Sequence, residues 1–129
     1  MTQPNVHLQV QPRYLPQRSS PLQEVYGFAY TITIANHGTE SVQLISRHWL
    51  IVDADGVEQE VKGLGVVGQQ PLLLPGQAFE YTSGCQLHTP TGSMQGTFHF
   101  VHEDGSRFAV PVPRFILDAT GHSGPRVLH

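Results

Sequence analysis

The sequence predicts an all-β protein, an antiparallel two-sheet β-sandwich of about seven or eight strands. Apolar and polar residues alternate with a period of two in several short segments, and Gly, Pro, Asn and Asp separate those segments. The chain has 13 glycines and 10 prolines, and only 13% of its residues are charged, which suits short strands better than long helices. Its 129 residues fit a single domain that spans residues 1–129.

The first quarter of the chain is predicted as an edge strand, a loop and a core strand. Val6, Leu8 and Val10 alternate with polar residues and predict a strand at the edge of a sheet. The following segment, RYLPQRSSPLQE (13–24), predicts a loop, because its prolines lack backbone donors and its serines favour turns. In VYGFAYTITIAN (25–36) aromatic and β-branched side chains share one face, which predicts a core strand.

A central strand is predicted next, in SVQLISRHWLIVDADG (41–56). Its apolar residues fall on both faces, and Asp55-Gly56 supplies a tight hairpin turn. Strict alternation places Leu44 and Trp49 on opposite faces. Either a β-bulge brings Trp49 into the core, which is the favoured interpretation, or Trp49 anchors a partner.

The remaining strands follow the same reasoning. They are predicted at Val57 to Lys62 and in QAFEYTSG, MQGTFHFVHE and SRFAVPVPRFIL. Pro111 and Pro113 alternate with valines, so the last strand should lie at an edge with both prolines facing solvent. The core should therefore span about residues 6–117, followed by a turn-rich surface tail over residues 118–129.

Charge and cysteine content limit the partners and the compartment. The formal net charge is -3, so no positive field attracts a nucleic-acid backbone. The N-terminus lacks a signal-peptide pattern, and no apolar run is long enough to span a bilayer. Cys85 is the single cysteine, which excludes an internal disulfide and a cysteine metal cage. We therefore predict a cytoplasmic protein that binds neither nucleic acid nor membrane.

Gly63, Gly65 and Gly68 have the spacing of a dinucleotide-binding fingerprint. Pyrophosphate binding by that motif requires a helix whose N-terminal N–H groups hold the anion. Prolines follow too soon for such a helix to form, beginning at Pro71. The favoured interpretation is that these glycines shape a turn. The alternative is a backbone nest for a phosphate, pyrophosphate or nucleotide, with Lys62 as the nearby cation.

Histidine and cysteine patterns give little support for a metal site or for catalysis. The chain has eight histidines, but His99 and His102 stand three apart in a predicted strand and point to opposite faces. Cys85 and His88 could act as a thiol and a base, yet no third group is identifiable to orient them. A small buried thiol is the favoured interpretation of Cys85. We predict no catalytic residue, no metal ligand and no cofactor.

The segment after Lys62 is unusually apolar for a connection between strands. Its six apolar residues are Leu64, Val66, Val67, Leu72, Leu73 and Leu74. These side chains either close one end of the core, which is favoured, or form a surface that binds a partner. Both uses are compatible. The candidate partner-binding residues are Leu64, Val67, Leu72 and Leu73.

Successive blocks of the chain resemble the ApaG family, also called CorD. The blocks are RYLPQRSSP, YGFAYTITIANHG, SRHWLIVD, GLGVVGQQP, LPGQAFEYTSG, TPTGSMQGTF and VPRFIL. They occur in order from about Val6 to Leu117, which makes the resemblance specific. It implies an immunoglobulin/fibronectin-III-like sandwich, and it implies no established biochemical activity. Similar domains in some eukaryotic F-box proteins look like protein-interaction modules.

The leading functional hypothesis is therefore a non-catalytic module that binds an unidentified protein, and this rests mainly on the family resemblance. A second hypothesis is the phosphate or nucleotide binder at the glycine segment. A third is an accessory role in cobalt and magnesium handling, which the family name suggests.

Overall fold

A computed structural model describes residues 5–120 and shows the predicted antiparallel two-sheet β-sandwich. The strands are β1 (Val6–Ser20), β2 (Val25–Asn36), β3 (Val42–Asp53), β4 (Glu58–Leu64), β5 (Leu72–Leu73), β6 (Ala78–Leu87), β7 (Thr91–His102) and β8 (Arg107–Asp118). One sheet has the order β1-β2-β6. The other has the order β4-β3-β7-β8, and the short β5 also pairs with β3. Most of the predicted surface tail, from residue 121 onward, lies outside the described residues.

The core lies between the two sheets and follows the alternation of the sequence. In β2 the inward side chains of Phe28, Tyr30, Ile32 and Ile34 are all buried, as predicted. They meet buried residues from the opposite sheet: Val42, Leu44, Trp49, Ile51, Met94, Phe98, Phe100, Val112 and Leu117. Because aromatic rings contribute the largest buried areas, Phe28, Phe98 and Phe100 should dominate the stability of the sandwich.

A β-bulge in β3 determines where Trp49 points. The pairing of β3 with β7 shifts register between Leu44 and Ser46, so Ile45 is the extra residue. As a result Leu44 and Trp49 both face the core, and only 2% of Trp49 is exposed. The Trp49 ring packs edge-on against Phe98, with ring centroids 5.6 Å apart. The core interpretation of Trp49 is confirmed.

The loop predicted over residues 13–24 is wrong for most of its length, because β1 continues to Ser20. An edge strand tolerates proline, since half of its N–H groups face away from the neighbouring strand. Pairing with β2 is regular as far as Leu15 and is then irregular. In the irregular part the Gly27 amide donates to the Ser19 hydroxyl at 2.8 Å. The predicted edge position of the first strand is confirmed.

Asn36 joins the two sheets at one end of the molecule. Its side chain is buried, and Nδ2 donates to the carbonyl of Leu73 at 2.9 Å and to that of Glu40 at 2.8 Å. Its Oδ1 accepts from the Gly38 amide at 2.9 Å. Because Asn36 ends β2 and Leu73 belongs to β5, this buried amide links the three-stranded sheet to the five-stranded one.

The two long sides of the sandwich differ. On one side β1 contacts β8 and the sheets close on each other. Pro111 and Pro113 of β8 are exposed at this edge, as predicted. On the other side β4 and β6 separate and leave a cleft between the sheets. No helix in residues 5–120 is long and apolar enough to cross a membrane.

Candidate functional site

The glycine segment forms a tight two-residue turn. Val66 and Gln69 pair through two backbone hydrogen bonds of 2.8 and 2.9 Å, with Val67 and Gly68 between them. Both central residues have positive φ, 44° at Val67 and 81° at Gly68. Positive φ at both positions defines a type I′ turn, which normally selects Asn or Gly rather than a β-branched residue. Val67 is therefore held in a backbone conformation that costs free energy.

The two glycines before this turn leave room for neighbouring groups, a backbone carbonyl at Gly65 and the Arg47 side chain at Gly63. Gly65 has a φ of 64°, and a Cβ there would overlap the carbonyl of Gln69. Gly63 lies in β4, where a Cβ would be 2.8 Å from Nη1 of Arg47. The guanidinium occupies this space and donates from Nη1 to the carbonyls of Leu64 at 3.1 Å and Gly65 at 2.9 Å. Arg47 thereby holds the segment in place.

The same geometry bears on the anion-binding alternative. A nest needs several free N–H groups that converge on the anion. Here the Gly65 amide donates to Ile45 at 2.8 Å, and the amides of Val66 and Gln69 donate to each other's carbonyls. The segment leads into β5 rather than into a helix. The arrangement around Lys62, Gly63, Gly65 and Gly68 thus favours the turn-shaping interpretation, and phosphate or nucleotide binding there stays an untested alternative.

The apolar residues of this segment divide between core and surface. Val66 and Leu73 are buried, with Leu73 only 3% exposed, and both close one end of the core. Leu73 must therefore be removed from the candidate partner-binding set: its pairing with Val42 in β3 turns the side chain inward. The side chains left outside are those of Leu64, 73% exposed, Val67, 52%, Leu72, 57%, and Leu74, 47%. We call these four residues the apolar turn surface.

The cleft between β4 and β6 is a second candidate site. Its volume is about 550 Å³. Apolar lining comes from Trp49, Ile51, Val57 and Val61, and polar lining from Tyr30, Arg47, Gln59, Ser83, Cys85, Gln86 and His88. Its volume lies within the range of small-molecule sites, and its lining is richer in polar groups than that of most such sites. We call it the inter-sheet cleft.

Cys85 and His88 both line the cleft, and its surroundings do not activate the thiol. Burial raises the pKa of Cys85 to about 11, so the thiol is protonated at neutral pH. The His88 ring donates from Nδ1 to the carbonyl of Glu24 at 3.2 Å, which holds the imidazole by a backbone group. Burial also raises the pKa of Tyr30, and a hydrogen bond with Ser83 partly offsets that rise. These groups suit binding better than nucleophilic attack.

The histidines do not assemble a metal centre in the described part of the chain. Residues 5–120 contain no group of three His, Cys, Asp or Glu side chains that could hold a metal ion. His99 is exposed, and His102 packs on the Phe108 ring with centroids 4.4 Å apart. His48 contacts Glu60 at 2.8 Å and lowers the pKa of that carboxyl group.

The fold and these two sites define a small all-β protein with an apolar surface at one end and a cleft between its sheets. A family model described as the ApaG domain matches residues 16–102, and the chain belongs to that family. The resemblance in the sequence blocks is thereby confirmed.

Individual relatives match over nearly the whole chain. The protein named Protein ApaG from Acidovorax sp. (strain JS42) is 57% identical over 130 residues, which cover 96% of this chain and 95% of that protein. Protein ApaG from Ralstonia nicotianae is 53% identical and covers 100% of both. The crystal structure of the putative ApaA protein from Bordetella pertussis aligns with a TM-score of 0.89 and 53% identity, over 92% of this chain and 97% of that one. None of these names states a biochemical activity.

Proposed function

We propose that the chain is a non-catalytic module that binds another protein through the apolar turn surface. The observation that carries this proposal is Val67, a β-branched residue with a φ of 44° and a side chain 52% exposed. A left-handed conformation costs an L-residue about 1–2 kcal/mol, and Asn or Gly would avoid most of that cost. Backbone strain that the surrounding structure maintains is concentrated at functional sites.

The surroundings of Val67 make this strained turn rigid. Arg47 fixes the strand that enters the turn through the Leu64 and Gly65 carbonyls. On the exit side, Gln70 donates from its side-chain amide to the Ile45 carbonyl at 3.0 Å. Little conformational entropy remains to be lost on binding, which favours affinity.

The shape of the surface indicates the complementary partner. Val67 is at the tip of the turn. Leu64 ends β4 and Leu72 begins β5, the two strands that flank the turn and pair with β3. A projecting apolar tip fits a concave apolar surface on a partner protein. A cytoplasmic partner is consistent with the single cysteine of the chain.

The test uses affinity capture from the native cell extract with matched variants. Leu64→Glu and Val67→Glu place a charge on the apolar turn surface, and Leu22→Glu is the control, because Leu22 is fully exposed in the turn between β1 and β2. We expect the two surface variants to lose a captured protein that wild type and Leu22→Glu retain. The melting temperatures should be nearly equal, since exposed substitutions change stability by about 0.5 kcal/mol or less.

Two outcomes would contradict the proposal. If every captured protein is retained by Leu64→Glu and Val67→Glu, recognition takes place elsewhere. If light scattering shows that the surface variants dissociate a wild-type dimer, the apolar turn surface contacts a second copy of this chain instead. Nucleotide titrations of wild type and Gly68→Ala test the anion-binding alternative, which is supported by saturable binding that the substitution abolishes.

A further inference from the structure

The inter-sheet cleft has a charge unlike that of the chain as a whole. The chain carries 10 acidic and 7 basic residues, yet the described residues that line the cleft include Arg47 and no Asp or Glu. An arginine in a partly enclosed site without a carboxylate makes the local potential positive. The cleft therefore favours anions although the protein is acidic.

The bulge at Ile45 turns Arg47 toward the cleft. After the bulge, Arg47, Trp49 and Ile51 alternate on the inner side of β3, and all three line the cleft. The guanidinium has five N–H donors. Nη1 donates to two carbonyls of the glycine segment, while Nε and Nη2 make no hydrogen bond with any other residue between 5 and 120. Donors remain for a second acceptor.

Tyr81 of β6 has a buried hydroxyl that no other described residue hydrogen-bonds. Among the inward residues of β6, Ser83 and Cys85 line the cleft, and Tyr81 is the next inward residue beyond its lining. Tyr81 is 6% exposed, and its hydroxyl makes no hydrogen bond within the described residues. Burial raises the pKa of Tyr81, and the charge of Arg47 counteracts this rise, so the hydroxyl lies within electrostatic range of the guanidinium. A buried hydroxyl without an acceptor is costly, so a carboxylate that extends from Arg47 to this hydroxyl would relieve that cost.

The apolar wall of the cleft indicates that the part of the ligand away from its anionic group is apolar. Trp49, Ile51 and Val61 line it opposite the polar residues of β6. Burying an apolar group against these side chains is favourable in proportion to the area covered. A fully hydrated inorganic ion would leave this wall unused, whereas an amphipathic molecule would cover it.

We propose that the inter-sheet cleft binds a small organic carboxylate, with the carboxylate at Arg47 and Tyr81 and the apolar body against Trp49. The cleft and the apolar turn surface share only Arg47, which supports the turn from behind, so either proposal can fail while the other holds. The volume of about 550 Å³ accommodates such a molecule.

Octanoate is a suitable probe, and octan-1-ol is its neutral counterpart of equal chain length. Trp49 is the single tryptophan and lines the cleft, so its fluorescence reports occupancy. We expect saturable quenching or a spectral shift with octanoate at millimolar concentration or below, together with amide shifts in β4 and β6. Binding of octan-1-ol should be at least about ten-fold weaker, because a hydrogen bond to a charged group is worth roughly that factor or more.

Two variants assign the carboxylate position. Arg47→Gln should weaken octanoate binding about ten-fold or more, while Arg107→Gln, an exposed arginine of β8, should leave it unchanged. Because Arg47 also holds the glycine segment, Arg47→Gln is interpreted only if its amide spectrum shows an intact fold. Tyr81→Phe removes a hydroxyl without a protein partner, so the fold should persist while octanoate affinity falls about three-fold or more.

The proposal is overturned if octanoate produces no saturable change, or if octan-1-ol binds as tightly as octanoate. It is also overturned if Tyr81→Phe and a folded Arg47→Gln both bind octanoate like wild type. Should Arg47→Gln fail to fold, Tyr81→Phe and the octan-1-ol comparison decide the question by themselves.

Discussion

Two tight turns of the chain differ in backbone strain. The hairpin turn at Asp104–Gly105 is formed by favourable residues, whereas the turn at Val67–Gly68 places a valine in a strained conformation. At the first, Oδ1 of Asp104 accepts from the amide of Ser106 at 2.9 Å and from its hydroxyl at 2.6 Å, and Gly105 takes the positive φ of 86°. At the second, no side chain between residues 5 and 120 hydrogen-bonds to the backbone of Val66 to Gln69, and a valine takes a positive φ. The first turn is stabilised by its own residues, whereas the second depends on its surroundings.

Under the proposed function, the first turn serves folding only, whereas the second also presents an apolar side chain to a partner. Asp, Ser and Gly at the first turn are the residues that local backbone geometry selects. The same backbone geometry disfavours valine at position 67. The Val67 side chain does not stabilise the turn, and it exposes apolar surface. Arg47 and the Ile45 carbonyl, which both lie in β3, compensate by fixing the segment from outside.

The largest expected effect is at Gly65, the residue that anchors the strained turn. Gly65→Ala introduces a Cβ that overlaps the Gln69 carbonyl at a φ of 64°. We expect it to lower the free energy of unfolding by about 3 kcal/mol or more, because backbone atoms on both sides of the turn must move. Urea denaturation measures this loss. A loss below about 1 kcal/mol would show that the turn is not held as tightly as proposed.

Gly68→Ala and Gly105→Ala compare the two turns directly. Their φ values are 81° and 86°, and a Cβ at either position meets no atom within 4 Å. Each substitution should therefore cost about 1 kcal/mol from backbone conformation alone. Thermal denaturation of the two variants provides the measurement. A much larger loss for Gly68→Ala would mean that strain at Val67 and at residue 68 is coupled.

Val67→Asn should raise the free energy of unfolding by about 0.5–1 kcal/mol, because Asn tolerates the left-handed conformation. Val67→Thr keeps the β-branch and should give no such gain. At the same time, Val67→Asn should weaken capture of the partner, since it removes the projecting apolar side chain. If Val67→Asn is more stable and still captures the partner as well as wild type, the strain at Val67 does not contribute to recognition.

The smallest expected effect is the pH response of the first turn. Hydrogen bonds from the Ser106 hydroxyl and amide hold the pKa of Asp104 below its usual value near 3.8. A carboxyl group with a lowered pKa in the folded state stabilises the protein above its unfolded pKa, and this contribution is lost as pH falls through the folded pKa. Below about pH 4 wild type should therefore lose a small stability increment that Asp104→Asn does not lose. Equal pH profiles for both would contradict this.

Much of the fold could be predicted because alternation and turn residues agree along most strands. The face of β2 that carries Phe28 and Ile32 and the edge position of Pro111 both follow from local rules. The continuation of β1 through Pro16 does not follow from local rules. A proline-rich segment predicts a loop unless its position at a sheet edge is already known. The local sequence pattern thus predicts which segments are strands better than it predicts where each strand ends.

The sites were harder to predict because they depend on register. The β-bulge at Ile45 decides that Arg47 and Trp49 turn inward, and no residue type marks that bulge in the sequence. Three consecutive leucines likewise do not indicate which of them is buried. The pairing of the two-residue strand β5 with β3 turns Leu73 toward the core and Leu72 toward solvent. The sequence suggests Cys85 as a buried thiol or as half of a weak catalytic pair with His88, and it gives no signal for Arg47 in the cleft or for Tyr81 beside its lining.

The buried side chain of Asn36 has a consequence for motion. It ties the sheets at one end of the molecule, and the contact of β1 with β8 holds them along one side. Fluctuations that separate the sheets should therefore leave these attachments in place. The separation should be largest on the opposite side, between β4 and β6. In amide hydrogen exchange, β4 and β6 should lose protection earliest and the centre of β3 last. If the sheets part in this way, the opening leads to Trp49, which lines the cleft.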